Sequence, residues 1–289
     1  MKKILLVFLF LLNLVNPLTA HELSICAIFR NEERFLKDWI DFHLVMGVEH
    51  FYLYNNNSED KYLAVLDPYV KSGKVDLFDW DYKHDNIVEW NAVQCNAYNH
   101  CLNNAKSIWV AFLDTDEYLY SPKSIKLTTV LKEFRRFGAV SPNWMFYGTS
   151  NIFEIDIKQP MIKQLIFREN SGNIHVKTIV QTKCASHFIN PHYAILKLNY
   201  LQVTENKETI SGPFSNYYSG NKLRINHYWT RDQKFFLEEK MRRQKAWWNA
   251  KDIEIDHLSS VLDDDIYKVF KKLKKSTFSH QRSANTRSE

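Results

Sequence analysis

Trp109-Val110-Ala111-Phe112-Leu113 is an apolar run of strand length that passes without a spacer into Asp114-Thr115-Asp116-Glu117. The run belongs inside a sheet, whereas three carboxylates in four positions need solvent or a cation, because uncompensated buried charge is costly. A chain with this junction must build a sheet whose strand ends open onto a polar site. Asp114 and Asp116, as an Asp-x-Asp at such an end, suit a hard divalent ion, Mn2+ or Mg2+, that also grips a diphosphate. The bland alternative is an acidic cap on a following helix.

The preceding sequence repeats the arrangement. Leu23 to Phe29 is a continuous apolar run, followed by Arg30-Asn31-Glu32-Glu33 and by apolar positions at Phe35, Leu36, Trp39, Ile40, His43 and Leu44 with helical spacing that stops at Gly47. His50 to Tyr54 is a second strand that ends in the polar stretch Asn55 to Asp60; Val75 to Phe78 is a third, and residues 88–104 form a helix. Alternating strands and helices predict an α/β domain with a largely parallel sheet, and ligands in such sheets bind at the carboxyl ends of strands. The turns at Asn31-Glu32 and at Asn55 to Asp60 carry side chains able to hydrogen-bond a base and a ribose. Beyond, Thr128 to Phe137 reads as a helix and Ala139 to Phe146 as a strand. His175 to Thr182, Ala194 to Val203 and Lys222 to Tyr228 read as strands between aromatic-rich loops, and Arg231 to Trp248 and Leu262 to Lys274 as helices.

Composition narrows the chemistry. Only 7 of 289 residues are Gly and neither G-x-G-x-x-G nor G-x-x-x-x-G-K-S/T occurs, which argues against dinucleotide and P-loop folds. The net charge of +5 sits mostly in residues 268–289, so the body lacks a nucleic-acid footprint. Cys26, Cys95, Cys101 and Cys184 form no C-x-x-C pair and are expected to be buried thiols. Met1 to Ala20, with Lys2 and Lys3 before an apolar run, has the grammar of a signal peptide or short membrane anchor. This reading sends the protein to a membrane or out of the cell, with cytosolic exposure left open. Residues 21–275 form one domain, with a donor half over about 23–120, an acceptor half over about 121–250 and a C-terminal helix over about 262–274. Residues 276–289 form a disordered basic tail.

Phe29-Arg30-Asn31-Glu32-Glu33, Trp39 to His43, Gly47 to Ser58 and Trp109 to Tyr118 together resemble glycosyltransferase family 92 and related family-2-like enzymes. Asn143-Trp144 with Gly148, His175 to Val180, Asn190 to Ala194 and Ile225 to Arg231 extend the likeness over about residues 23–245. The resemblance implies a GT-A (Rossmann-like) fold with a mixed, mainly parallel sheet flanked by helices and an irregular, β-containing acceptor-side half. It also implies metal-dependent transfer, with inversion, from a UDP- or GDP-sugar to a glycan or glycoconjugate hydroxyl. Asp114 and Asp116 match the motif that holds the metal-diphosphate, Asn31 and Glu32 the first nucleoside loop, and Asn57 with Asp60 the second. Asn55 departs from the Asp frequent among relatives.

For the charge on the leaving diphosphate, Lys177 and Arg231 are candidate cations. His227 is the first candidate for a further metal ligand and His192 the second. The base for the acceptor hydroxyl is Glu117, Glu154 or Asp156, with Glu154 preferred because it follows the loop expected at the acceptor side. Trp144 and Tyr147 are candidates for stacking on sugar faces. Rival readings are an inactive carbohydrate-binding adaptor on the same scaffold and a metal-dependent phosphohydrolase. Asn56-Asn57-Ser58 matches a glycosylation sequon and is taken as a chance match.

Overall fold

The computed structural model describes residues 20–248 and 256–285. Residues 1–19, nearly all of the segment read as a signal peptide or anchor, lie outside the described residues, and among these no helix is long and apolar enough to cross a membrane. The first half alternates as the periodicity predicts: β1 (His21–Phe29), α1 (Glu33–Met46), β2 (His50–Asn55), α2 (Tyr62–Lys71), β3 (Val75–Asp79), α3 (Ile87–Asn104) and β4 (Ser107–Phe112). Gly47 ends α1 in the left-handed region at φ 98°, where a side chain would be strained.

The second half is less regular. It contains β5 (Glu117–Tyr120), α4 (Leu127–Leu131), β6 (Ala139–Val140), β7 (Trp144–Phe146), α5 (Met161–Gln164), β8 (Phe167–Arg168) and β9 (Thr178–Gln181). There follow β10 (Ala185–Asn190), β11 (Tyr193–Leu196), β12 (Gln202–Val203) and β13 (Arg224–His227). One helical stretch then joins α6 (Gln233–Phe235), a π-helical turn (Phe236–Lys240) and α7 (Met241–Trp248); β14 (Val261–Leu262) and α8 (Asp265–Asn285) complete the chain.

Seven strands form the main sheet in the order β12-β6-β9-β4-β1-β2-β3. The run β4-β1-β2-β3 is parallel, whereas β9 is antiparallel to both β4 and β6, so the sheet is mixed. A second sheet, β5-β13-β7, stands at the carboxyl end of β4. Its register sets His227 of β13 opposite Glu117 on one side and Phe146 on the other.

The apolar face of α1, with Phe35, Leu36, Trp39, Ile40 and Phe42, is buried in the main core and fastens the second sheet to the first. Trp39 Nε1 donates to the Glu117 carbonyl at 2.8 Å. His43 donates from Nδ1 to the Trp39 carbonyl at 2.8 Å, which leaves Nε2 to accept from Leu119 N at 3.1 Å. Burial drives the His43 pKa down to about 3, so the ring stays neutral as these bonds require.

Two expectations are corrected. The single strand over 139–146 is two strands in different sheets, with Pro142 between them lacking the N–H a continuous ladder needs. The tail placed at 276–289 continues α8 as far as Asn285, since nothing in Ser276 to Asn285 is a Gly or Pro that would stop a helix. All four cysteines are free and buried.

Candidate active site

The carboxyl ends of β1 and β4 open onto a cavity of about 790 Å³. Asn31, Glu32, Asp114, Asp116, Trp144, Lys177, His192 and His227 line it, drawn from segments more than 190 residues apart in the chain. The helical stretch after β13 covers one side with Glu239, Lys240, Arg242, Arg243 and Gln244.

The two aspartates have different partners. Asp114 Oδ1 lies 3.2 Å from Lys177 Nζ and accepts from Gln94 Nε2 at 2.6 Å. Asp116 Oδ2 lies 2.6 Å from Lys240 Nζ, and its Oδ1 lies 3.3 Å from His227 Nε2. Burial opposes ionisation of Asp116, but Lys240 and His227 outweigh it and hold the carboxyl well below its usual range. Burial likewise opposes charge on Lys177, yet Asp114 and Glu117 raise its pKa and keep it an ammonium. Glu117 is fully buried and goes the other way: desolvation and the two aspartates together raise its pKa far above a carboxyl's normal value despite Lys177. Glu117 Oε2 accepts from Asp114 N at 3.0 Å, which fixes the acidic turn.

The donor set suits a hard divalent ion shared with substrate. Asp116 Oδ1 and His227 Nε2, 3.3 Å apart, are the protein atoms that would hold such an ion. Among the described residues no group of three His, Cys, Asp or Glu side chains is arranged to hold a metal. Mg2+ and Mn2+ take carboxylate, phosphate and water oxygens, so Asp116 would supply the main protein ligand, completed by diphosphate and water. His192, the second choice, donates from Nδ1 to the Val176 carbonyl at 3.0 Å; burial and then Lys177 lower its pKa to about 4, so it is a neutral ring on the wall.

Several candidates serve the scaffold instead of the cavity. Arg231 is fully buried with Nη2 2.6 Å from Glu32 Oε2 and its guanidinium 4.0 Å above the Phe35 ring, so it holds Glu32 and does not reach a leaving group. Asp60 accepts from Glu33 N at 2.7 Å and Tyr62 N at 3.3 Å, tying together the starts of α1 and α2. Asn57, at φ 57°, borders a smaller hollow beside the main cavity with Arg30 and Tyr82. Glu154 is absent from the wall; it pairs with Lys234 at 3.0 Å and Arg34 at 3.7 Å on the surface, because the loop after β7 turns outward. Tyr147 is core, its hydroxyl accepting from Arg224 at 3.2 Å, whereas Trp144, largely buried, borders the cavity.

Sequence reasoning missed Gln94, Lys240 and Glu169. The charged run Glu238 to Lys245 signalled a helix with cations, but not which of them faces the aspartates. Asn55 has a structural explanation: its amide donates to Tyr62 Oη at 2.8 Å and to Asp79 Oδ1 at 3.4 Å while Oδ1 accepts from Ser58 N. A carboxylate would face Asp79 there. Asn56 is buried and donates to the carbonyls of Trp80 and Tyr82, which agrees with a chance sequon.

The sequence model of glycosyltransferase family 92 matches residues 21–256. A family 92 protein of Ricinus communis is 32% identical over 114 residues, covering 39% of this chain and 19% of that protein. One from Oryza sativa subsp. japonica is 33% identical over 118 residues, covering 40% and 19%. Each match thus spans about a fifth of the relative's length. Among solved structures, S. aureus TarS 1-349 in complex with UDP-GlcNAc aligns with TM-score 0.38 and 12% identity over 68% of this chain and 62% of that one. Glucosyl-3-phosphoglycerate synthase from Mycobacterium tuberculosis, in complex with Mn2+, UDP-glucose and phosphoglyceric acid, aligns with TM-score 0.30 and 13% identity over 43% and 44%. The mixed sheet flanked by helices is the α/β class expected. The family match covers most of the chain, and the protein belongs to glycosyltransferase family 92.

Proposed function

We propose that this protein transfers a sugar, with inversion, from a UDP- or GDP-sugar to a hydroxyl of a glycan or glycoconjugate. The observation that carries the reading is the meeting of Asp114 and Asp116 with Lys177, Lys240, Arg242 and Arg243 around one cavity at the carboxyl ends of β1 and β4. A diphosphate leaving group gathers charge as its bond to the sugar breaks, and preorganised cations stabilise that charge without reorganising. Family membership supports the same reaction class.

In this reading Asp116 and His227, with Asp114 alongside, would hold Mn2+ or Mg2+. The ion, when bound, supplies Lewis-acid stabilisation of the leaving group. The chain does the rest. Gln94 and Lys177 orient Asp114 and keep it ionised, Arg231 fixes Glu32 at the cavity mouth, and the Asn31-Glu32 turn borders the nucleoside. Lys240 and Arg243 close the diphosphate side from the helical stretch.

Calorimetric titration of UDP and GDP with and without Mn2+ tests the reading. Binding of one nucleotide that needs the ion, and its loss in Asp116→Asn with an unchanged melting temperature, is the expected result. Failure of both nucleotides to bind with any divalent ion would sink the proposal; sugar binding alone would favour the adaptor, and phosphate release from a nucleotide-sugar the phosphohydrolase.

A further inference from the structure

Five carboxylates line the cavity: Glu32, Asp114, Asp116, Glu169 and Glu239. Four are held by cations, Glu32 by Arg231, Asp114 by Lys177, Asp116 by Lys240 and Glu239 by Arg242. Glu169 alone has no cation within 4.0 Å among the described residues. The three carboxylates considered from sequence for proton abstraction are all off the wall: Glu117 is sealed in the core, while Glu154 and Asp156 face solvent.

Glu169 is also held in place. Its N–H donates to the Phe146 carbonyl at 3.0 Å, and Phe146 N donates to its Oε1 at 3.3 Å, which pins the carboxyl to the end of β7. Among the described residues Oε2 accepts no hydrogen bond from the protein. Phe146 stacks on His227, with ring centroids 4.9 Å apart, and His227 reaches Asp116. Contacts therefore run from the diphosphate side of the cavity through two rings to Glu169. Half-buried Phe146, packed on His227, borders the cavity with an apolar ring against which a sugar C–H surface can lie, while Trp144 behind it is buried and stacked on His175.

We propose that Glu169 is the general base that takes the proton from the acceptor hydroxyl, the acceptor being a sugar ring laid against Phe146. The assignment rests on the transfer reading above. In the step, the hydroxyl proton passes to Glu169 Oε2 and the oxygen forms a bond to the anomeric carbon. The bond from that carbon to the diphosphate breaks, with its electron pair leaving on the phosphate oxygen. An unpaired carboxylate whose pKa burial raises is a stronger base than the cation-bound ones; the Phe146 N–H bond, then His257 and Arg168, oppose the rise without cancelling it.

The test measures UDP or GDP release from UDP-glucose, UDP-galactose, UDP-N-acetylglucosamine and GDP-mannose, with p-nitrophenyl glycosides as acceptor probes. Glu169→Gln is expected to lower kcat at least about 100-fold, leave the donor KM and calorimetric nucleotide affinity within about threefold, and abolish the acidic limb of the kcat–pH profile. Glu169→Asp should lose rate but keep that limb, and Glu154→Gln should match the parent. Release by Glu169→Gln at more than a third of the parent rate overturns the base assignment while leaving transfer intact. No release by the parent from any of these donors overturns the transfer reading and the base with it.

Discussion

Lys240 and Asp116, 124 residues apart in the chain, meet with Nζ 2.6 Å from Oδ2 in a part-buried contact. The ammonium and a divalent ion compete for the same carboxylate. Lys240→Met should therefore tighten Mn2+ binding several-fold without nucleotide and weaken nucleotide binding, since one counter-charge to the diphosphate is gone. Titration of each ligand alone, by calorimetry, reads both; weaker Mn2+ binding would contradict the competition.

Asn55 sits between Tyr62 and Asp79, and its amide is the donor. Asn55→Asp sets two carboxylates against each other and is expected to cost about 1–3 kcal/mol at pH 7. Protonation of the new carboxyl removes the repulsion, so the deficit should shrink as pH falls below about 5. Urea melts at pH 7 and pH 4 measure this; an equal deficit at both would point to lost packing instead.

Asp38 accepts from Tyr118 Oη at 3.0 Å and Met161 N at 3.2 Å, and burial raises its pKa from 3.8 to about 6. A carboxyl raised in the folded state favours folding when protonated, so its contribution is full below pH 3.8 and is lost as pH rises through 6. Asp38→Asn keeps an oxygen acceptor and removes the ionisation. Relative to the parent it should gain stability between pH 4 and 7, by at most about 3 kcal/mol. Thermal melts across that window check the sign.

Glu205 accepts from Asn221 N, Lys222 N and Leu223 N at 2.8, 2.7 and 2.6 Å and so ties down the approach to β13. Removing a buried carboxylate from three backbone donors leaves them unpaired. Glu205→Ala should destabilise by about 2–4 kcal/mol in urea, and weaken nucleotide binding indirectly because β13 carries His227.

The first half of the chain was readable because each of its elements is a local pattern. The apolar runs of β1, β2 and β4, the helical spacing of α1 and the abrupt Asp114-Thr115-Asp116 junction each follow from neighbouring residues, and the parallel order follows from their alternation. The second half was not. The β6, β7, β8 and β12 strands are only 2 or 3 residues long, so pairing partners, more than their own sequence, make them strands.

By itself, then, the sequence determined a mixed α/β sheet with acidic and amide-rich turns at one edge, and membership of a family. Tertiary structure alone decided which charges meet there. Arg231 and Glu32, Lys240 and Asp116, and Phe146 and Glu169 are brought together by β13, the helical stretch after it and the β7–β8 loop. Separations of 199, 124 and 23 residues carry no periodic signal in the chain. Each side chain's role is fixed by the partner it finds: buried and paired, Arg231 serves the scaffold, while half-buried and unpaired, Glu169 is left free to take a proton.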